Sequence, residues 1–247
     1  MAYEQLAQVY DAFMVDAPYD ELLDFTCAVF NEYGKNVKNV ADLGCGTGTM
    51  AIRLAQSKFS VQAVDYSADM LTAAEQQAAE AGAHIQFIHQ DLRELAGLRN
   101  LDAAVSFFDV VNYVTEPEEL SEMFKRVSSS LNDEGIFLFD VHSMHSIENH
   151  YAGETFSVIE DELCYVWFCE AGESPGEVYH DLTFFVREDD KYKRFDEYHH
   201  QRTYPIDFYE SKLLEAGFKK NFWFGGADLK LKNMNEHASK IFILACK

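Results

Sequence analysis

Hydrophobic and polar positions follow two different periods in the first half of the chain. Short apolar runs that end in an acid or a turn predict buried strands at 40–43, 59–65, 85–90, 103–108 and 136–141. Between them, apolar residues recur at helical spacing, most clearly in 116–131, where Thr115 and Glu118 match a capping box. Strands that alternate with helices predict an α/β fold with a largely parallel sheet.

The period changes between residues 154 and 204. Segments 162–168, 178–187 and 193–204 are rich in aromatic and β-branched residues or alternate in polarity, which is typical of strands. Turn-forming residues at 172–176 and 188–191 separate these segments. We therefore predict an antiparallel β meander inserted after the fifth strand of the sheet.

These patterns divide the chain into four segments. Residues 1–33 carry aromatic and aliphatic side chains at helical spacing and predict an N-terminal helical cap. Residues 34–153 form the alternating core, 154–204 the inserted meander, and 205–247 the end of the core sheet. The last segment is expected to contain one helix that ends at Gly217 and two final strands.

Composition favours a globular protein of a reducing compartment. Of the 247 residues, 48% are hydrophobic, which suffices for a sizeable core, and no apolar run reaches membrane-spanning length. The five cysteines are scattered, and the N-terminus lacks the charged and apolar regions of an export signal, so we expect a cytoplasmic protein. The net charge of −22 disfavours nucleic acids and anionic membranes as partners.

The most specific motif is a glycine loop after the first strand. Asp42 ends the apolar run, and Gly44, Gly46 and Gly48 follow at alternate positions before a helical pattern. Glycine lets the backbone turn sharply and lets a ligand approach closely, while the next helix start presents free N–H groups. Dinucleotide-binding loops prefer Gly-x-Gly-x-x-Gly, so the third glycine comes one residue early here. The loop predicts the first turn of a nucleotide-binding βαβ unit.

Acidic residues end three successive predicted strands, namely Asp42, Asp65 and Asp91. Asp65 follows the loop by about twenty residues, an offset typical of an acid that binds both ribose hydroxyls. A mere capping role for Asp65 is less favoured, because Ser67 already offers an N-cap. Taken alone, Asp91 fits a ligand-binding acid and a solvated helix-start acid equally well. Ligands of open α/β sheets lie beyond the carboxyl ends of the strands, so the three acids together favour one shared site.

The loop and the spaced acids resemble the cofactor motifs of the class I S-adenosylmethionine (SAM)-dependent methyltransferases. The resemblance covers nearly the whole chain. Through Tyr10-Asp11, segments 108–113 and 139–142, and the late meander, it is similar to the small-molecule branch that includes aminosugar N-methyltransferases. It implies a Rossmann-like sheet of seven strands, mostly parallel with an antiparallel last strand, and SAM as cofactor with S-adenosylhomocysteine as product. The cofactor-binding residues that it implies are Tyr10, Asp42, Gly44, Gly46, Asp65, Tyr66, Met70, Asp91, Leu92 and Phe107.

The resemblance also implies roles for these residues. The glycine loop would wrap the amino-acid part of the cofactor, and Asp65 would bind the ribose. Asp91 would bind the adenine amino group, next to the backbone N–H of Leu92. Tyrosines of the N-terminal cap, here Tyr3 and Tyr10, would close over the cofactor.

Candidate catalytic residues follow the fourth and fifth strands, on the methyl side of the predicted cofactor. They are Asp109, Tyr113 and His142. A base is needed when a hydroxyl is methylated and less so for an amine with a pKa near ambient. His142 and His145 have the spacing of a metal pair on a helix, but no third ligand has a fixed position, so we expect no metal. The other histidines are expected to be surface or packing residues.

The sequence therefore predicts a methyltransferase that acts on nitrogen or oxygen of a small molecule. A tRNA or protein methyltransferase, a non-catalytic SAM-binding protein and, with less support, an NAD-linked oxidoreductase remain as alternatives. Segment 107–110 lacks the Asn/Asp-Pro-Pro-aromatic motif of enzymes that methylate exocyclic base amines or glutamine amides. The expected partner is a small molecule, not a nucleic acid or a membrane, and the oligomeric state stays open, a homodimer included.

Overall fold

The computed structural model describes residues 10–247, apart from the side chain of Ala12. The part of the predicted cap at 1–9, with Tyr3, lies outside the described residues. The helices are α1 (Tyr10–Phe13), α2 (Tyr19–Tyr33), α3 (Thr49–Gln56), α4 (Ala68–Glu80), α5 (Pro117–Ser130), α6 (Met144–Ser146) and α7 (Ile206–Glu215). Within the described part of the chain, no helix combines the length and the apolar character needed to cross a bilayer.

A sheet of seven strands forms the centre of the protein. Its members are β1 (Asn39–Leu43), β2 (Ser60–Asp65), β3 (Ile85–His89), β4 (Leu101–Ser106), β5 (Leu131–His142), β10 (Lys220–Phe224) and β11 (Lys240–Cys246). Their order across the sheet is β10-β11-β5-β4-β1-β2-β3. Strands β1 to β5 pair in parallel, and β11 is antiparallel to both of its neighbours. The predicted Rossmann-like sheet with an antiparallel last strand is confirmed.

Helices bury their apolar faces on both sides of this sheet. On one side α2 and α3 pack through residues such as Phe25 and Leu54. On the other side α5 and α7 pack through residues such as Phe124 and Leu213. Helices therefore cover both faces of the sheet, as is usual for parallel sheets.

The strand order reverses at β1, so that β4 lies beside β1 on the side opposite to β2. The chain adds β2 and β3 on one side of β1, and then returns to add β4 and β5 on the other side. The loops that follow β1 and β4 therefore diverge and leave a crevice at the carboxyl ends of the strands. The glycine loop and segment 107–113 form the two sides of this crevice.

The segment after β5 forms a second sheet of four antiparallel strands, in the order β6-β7-β8-β9. They are β6 (Thr155–Ile159), β7 (Leu163–Ala171), β8 (Glu177–Glu188) and β9 (Lys191–Arg202). Cross-strand register places Cys169, His180 and His199 opposite one another on the same face. We call the face that carries these residues the inner face, because it is directed towards the crevice.

Local details differ from the sequence expectations. The meander has four strands instead of three. The additional strand, β6, has only five residues, and they are mostly exposed. The predicted capping box is wrong, because Glu116 precedes α5 without a side-chain cap bond and Pro117 occupies the first turn. β5 also begins at Leu131, directly after α5, rather than at 136.

Candidate functional site

A cavity of about 540 Å³ lies at the crevice beyond the carboxyl ends of β1, β2, β4 and β5. The glycine loop and the segments after β2, β3 and β4 line one part of it, and the inner face of the small sheet lines another. Tyr3 aside, which lies outside the described residues, the residues predicted for cofactor binding or catalysis line this cavity: Tyr10, Asp42, Gly44, Gly46, Asp65, Tyr66, Met70, Asp91, Leu92, Phe107, Asp109, Tyr113 and His142.

The glycine loop leaves β1 in conformations that favour glycine. Gly44 has a φ of +79°, and a Cβ at this position would lie 2.4 Å from a methyl carbon of Val110, in the segment after β4. Gly46 has a φ of +53°, and the atom that a Cβ would meet, 3.8 Å away, belongs to Tyr10. Gly44 thus permits the two loops to pack closely, whereas Gly46 leaves open space beside the cavity.

Two carboxylates, from the ends of β1 and β2, face this loop. The Oδ1 of Asp65 accepts a hydrogen bond from the N–H of Ser67 and its Oδ2 accepts one from the N–H of Gly46, both at 2.8 Å. Asp42 is buried, and its Oδ2 has no hydrogen-bond partner among the described residues. Burial and the nearby charge of Asp65 raise the pKa of Asp42 to about 7. Burial raises the pKa of Asp65 as well. The two acids therefore favour a cation in the cavity.

Helix α1 lies over the glycine loop. Asp11 accepts hydrogen bonds from the hydroxyl of Thr47 at 2.7 Å and from the amide of Gln77 at 2.5 Å. The ring of Phe13 makes an edge-to-face contact with Phe184 of β8, with the ring centroids 5.9 Å apart. Helix α1 thereby joins the loop and α4 to the small sheet at the rim of the cavity.

Asp91 begins a 3₁₀ helix at Leu92–Glu94 and also lines the cavity. It accepts hydrogen bonds from the backbone N–H of Arg93 at 2.8 Å and from the guanidinium Nη2 at 2.6 Å. The paired guanidinium lowers the pKa of Asp91. Asp91 therefore has the helix-start role and, at the same time, the position of a ligand-binding acid. Tyr66 lines the same cavity with its ring largely exposed.

A cluster of ionisable groups lies between the segment after β4, the end of β5 and the start of β11. Lys240 pairs with Asp109 and also with Asp140, whose Oδ2 lies 3.1 Å from Nζ. The Oδ2 of Asp109 lies 3.2 Å from the Nε2 of His142. Although burial disfavours ionisation, His142 and Lys240 hold the pKa of Asp109 well below its usual range. Asp109 is therefore a permanent carboxylate beside an imidazole.

The backbone around this carboxylate is strained. Phe108 and Asp109 have φ values of +62° and +65°, in the left-handed region that non-glycine residues rarely adopt. The backbone N–H of Asp109 donates to the Oδ1 of Asp140 at 3.0 Å, and the ring of Phe108 packs against Tyr19. Such strain concentrates at functional sites, where surrounding contacts hold it in place.

Sequence reasoning missed Lys240. The residue reaches the cavity because β11 pairs antiparallel with β5 in a register that places Lys240 opposite His142. The only signal in the sequence is a lysine at the start of an otherwise apolar strand.

The inner face of the small sheet supplies a polar wall. Trp167 donates from Nε1 to the Nδ1 of His180 at 3.0 Å, and the Nε2 of His180 lies 3.2 Å from the Oε1 of Gln201. The hydroxyl of Tyr113 lies 3.3 Å from the Nδ1 of His199. Burial lowers the pKa values of His180 and His199 to about 4, so both imidazoles are neutral at pH 7.

Other histidines of the chain lie outside this cavity. The rings of His145 and His150 are 5.3 Å apart, and His237 lies 4.9 Å from His145. His200 is on the outer face of the small sheet, where its Nε2 pairs with Glu177 at 2.7 Å.

The chain is similar to known methyltransferases. Residues 40–135 match the model of a methyltransferase domain family. A protein of Geobacillus sp. (strain WCH70), named as a putative methyltransferase, is 41% identical over 220 residues, which cover 88% of this chain and 89% of that protein.

Solved structures extend the similarity over the whole described fold. A SAM-dependent methyltransferase from Clostridium acetobutylicum is 28% identical, covers 99% of this chain and 98% of its own, and superposes with a TM-score of 0.89. The sugar N-methyltransferase KedS8 from Streptoalloteichus shares the fold at 16% identity, with a TM-score of 0.78 and coverage of 97% and 92%.

Proposed function

The chain belongs to the class I S-adenosylmethionine-dependent methyltransferases, and we propose that it methylates a nitrogen or oxygen atom of a small molecule. One observation carries the proposal: a single cavity joins the glycine loop and its acids to the inner face of the small sheet. Cofactor and acceptor can therefore meet inside it. Its volume of about 540 Å³ lies within the range of sites that hold small molecules.

The residues around the glycine loop fit the cofactor. Each oxygen of Asp65 accepts one backbone N–H and keeps a lone pair for a ribose hydroxyl. The carboxylate of Asp42, whose Oδ2 has no hydrogen-bond partner among the described residues, offsets the ammonium of the cofactor's amino-acid part, for which Gly46 leaves room. At the adenine, the N–H of Leu92 and the carboxylate of Asp91 are the proposed partners.

The acceptor occupies the part of the cavity near Asp109, Tyr113 and His142. When bound, the cofactor supplies an electrophilic methyl group on a sulfonium. The protein holds the acceptor atom in line with that methyl group and excludes water, and such positioning can contribute about 7–11 kcal/mol.

His142 is the proposed base for an acceptor that arrives protonated. Its Nε2–H donates to the carboxylate of Asp109, which fixes the ring and leaves Nδ1 as the basic nitrogen. This Nδ1 is buried and has no hydrogen-bond partner among the described residues. Asp109 orients the imidazole and stabilises its charge after proton transfer.

Two features favour a small molecule over a tRNA or a protein. Helix α1 and the small sheet both line the cavity and contact each other through Phe13 and Phe184, an arrangement that favours an acceptor small enough to fit inside. The net charge of −22 also disfavours a polyanion. Because the fold is shared with a sugar N-methyltransferase, amino sugars are one acceptor class to test first.

Cofactor choice is tested by calorimetry with SAM and NAD. We expect micromolar affinity for SAM and none for NAD, because the loop spacing and the acids suit an adenosyl ligand with a cationic tail. Binding of NAD in place of SAM would overturn the assignment.

The reaction is tested with radiolabelled SAM and three acceptor pools from a bacterial extract: the fraction below about 1 kDa, bulk tRNA and total protein. We expect label in the small-molecule fraction and release of S-adenosylhomocysteine. Label in tRNA or protein alone would favour a macromolecular acceptor. Tight SAM binding without turnover on any pool would identify a non-catalytic binding protein.

A further inference from the structure

Three side chains on the inner face of the small sheet form a hydrogen-bonded row. The indole Nε1 of Trp167 lies 3.0 Å from the Nδ1 of His180, and the Nε2 of His180 lies 3.2 Å from the Oε1 of Gln201. All three residues line the cavity, and both His180 and Gln201 are buried.

The direction of the row follows from its first member. An indole N–H can only donate, so the Nδ1 of His180 must accept with its lone pair. The single proton of the neutral imidazole then resides on Nε2. The Nε2–H donates to the carbonyl oxygen of Gln201, which fixes the orientation of that amide.

A thiol also lies beside this nitrogen. The Sγ of Cys169 is 3.4 Å from the Nδ1 of His180. Because a thiol can donate or accept, this contact is compatible with an unprotonated Nδ1, and the indole N–H alone sets the direction. Tyr151 packs edge-on against the imidazole, with the ring centroids 5.9 Å apart, and holds its plane.

The row ends on an unused donor group. Its orientation directs the amide nitrogen of Gln201 away from His180, and this nitrogen has no hydrogen-bond partner among the described residues. Gln201 is only 5% exposed and yet lines the cavity. The amide nitrogen is not one of the fully buried polar atoms that lack a partner, so it keeps accessible surface, and the residue lines the cavity. A donor that faces a ligand in this way gives selectivity.

We propose that Gln201 is a specificity-determining residue whose amide N–H binds a hydrogen-bond acceptor atom of the methyl acceptor, with Trp167 and His180 fixing its orientation. This inference rests on the proposed small-molecule methyltransferase function. The recognised atom is an oxygen or an unprotonated nitrogen, such as a hydroxyl, carbonyl or ring nitrogen. An acceptor whose only group near Gln201 is a donor or an alkyl carbon is rejected.

The row itself is tested without any acceptor. Two-bond ¹H–¹⁵N correlation spectra of the imidazoles report which nitrogen of His180 carries the proton. We expect the proton on Nε2 in the wild-type protein at pH 7, and a mixture of tautomers in Trp167→Phe, which keeps the ring and loses the donor. Trp223→Phe is the matched control, because Trp223 lies on β10, and should leave the spectrum of His180 unchanged. A wild-type proton on Nδ1 would overturn the proposal.

Recognition is tested with Gln201→Met, which has a similar length and lacks the amide. The probe is the radiolabelled product that wild-type protein forms in the fraction below about 1 kDa of a bacterial extract. We expect the KM for that acceptor to rise about tenfold, as for one lost hydrogen bond, with kcat changed much less and SAM affinity unchanged. Gln201→Glu, which exchanges the donor for an acceptor, should impair the KM further.

The outcomes separate this inference from the proposed function. Wild-type protein that labels nothing contradicts the function, while the tautomer spectra still decide the direction of the row. An active wild type together with an unaltered KM in folded Gln201→Met contradicts the inference alone.

Discussion

The Oδ2 of Asp109 lies 3.2 Å from the Nε2 of His142 at the inner end of the cavity. Asp109 lies in the segment after β4, whereas His142 is the last residue of β5. Lys240, at the start of β11, pairs with Asp109 and also with Asp140, which lies two residues before His142. The geometry of the proposed base therefore depends on a lysine more than 90 residues further along the chain.

Replacing Lys240 by Met should lower the free energy of unfolding by about 3 kcal/mol. The change leaves the buried carboxylates of Asp109 and Asp140 without their cation, and removal of one partner of a buried pair is costly. Because the side chain of Lys240 is still 29% exposed, we expect a loss at the lower end of the range of about 3–5 kcal/mol that is typical of broken buried ion pairs. Urea denaturation at pH 7 measures the loss.

The matched control is Lys35→Met, which removes a surface pair with Glu134. Surface pairs of this kind contribute little, so its stability should stay within about 0.5 kcal/mol of the wild type. Adding Asp140→Asn to Lys240→Met should restore part of the lost stability, since one unpaired charge is then removed. Equal effects of the two lysine variants would contradict the role given to Lys240.

Asp65→Ala should weaken SAM binding by about 1.5–3 kcal/mol, as expected for hydrogen bonds lost from a charged acceptor. Asp91→Ala should have a smaller effect, below about 1 kcal/mol. The guanidinium of Arg93 already occupies both oxygens of Asp91, so part of its hydrogen-bonding capacity is spent within the protein. Calorimetry on both folded variants gives the comparison. A larger loss in Asp91→Ala would reverse the relative importance of the two acids.

SAM affinity should fall as the pH is lowered through about 7. Burial and the charge of Asp65 raise the pKa of Asp42 to about 7, so the free protein binds a proton there below this pH. That proton must leave before the carboxylate can offset the cofactor's ammonium, which lowers affinity by at most about tenfold per pH unit. Asp42→Asn should bind SAM more weakly at pH 8 and with a flatter pH profile. A wild-type affinity that is constant from pH 8 to 6 would contradict this role.

The same group also affects stability without cofactor. The pKa of Asp42 is about 7 in the folded protein and near the ordinary aspartate value of 3.8 in the unfolded chain, so the folded state binds more protons between these pH values. The contribution of Asp42 to stability therefore decreases as the pH rises from about 4 to 7. Urea denaturation of the wild type and of Asp42→Asn between pH 4 and 7 isolates this contribution of Asp42 to the free energy of unfolding.

The sequence alone predicts the elements of the central sheet well, because the strands at its centre, such as β1, β4, β5 and β11, are mostly buried and appear as apolar runs. The glycine loop and the acids at strand ends can also be predicted from the sequence, because each lies at a fixed offset from its own strand. β6 was not predicted although Thr155–Ile159 carries the aromatic and β-branched residues of a strand, because a run of five residues is too short for its pattern to be decisive.

Residues that reach the cavity through strand pairing are harder to predict. Lys240 depends on the register of β11 on β5, and Gln201 and His180 depend on the register of β9 on β8. These registers join segments distant in sequence, and a shift by one residue would turn each side chain to the opposite face. Local patterns therefore identify the cofactor side of the site and the candidates Asp109, Tyr113 and His142, but not the residues that reach the cavity through strand pairing.

Gly44→Ala should destabilise the protein more than Gly82→Ala, although both glycines have a positive φ, at +79° and +63°. A Cβ at Gly82 meets nothing within 4 Å, so that variant carries only the left-handed strain of alanine, about 1 kcal/mol. A Cβ at Gly44 would also lie 2.4 Å from a methyl carbon of Val110, and such overpacking adds about 1–3 kcal/mol. Thermal and urea unfolding measure the difference.

The double variant Gly44→Ala/Val110→Ala separates strain from collision. Shortening Val110 removes the colliding methyl groups, so stability should recover towards that of Gly82→Ala once the loss of the valine itself, measured in Val110→Ala, is subtracted. SAM affinity should recover with it, because the loops after β1 and β4 can then approach as they do in the wild type. Double-variant stability no better than that of Gly44→Ala would mean that backbone strain alone requires glycine at this turn.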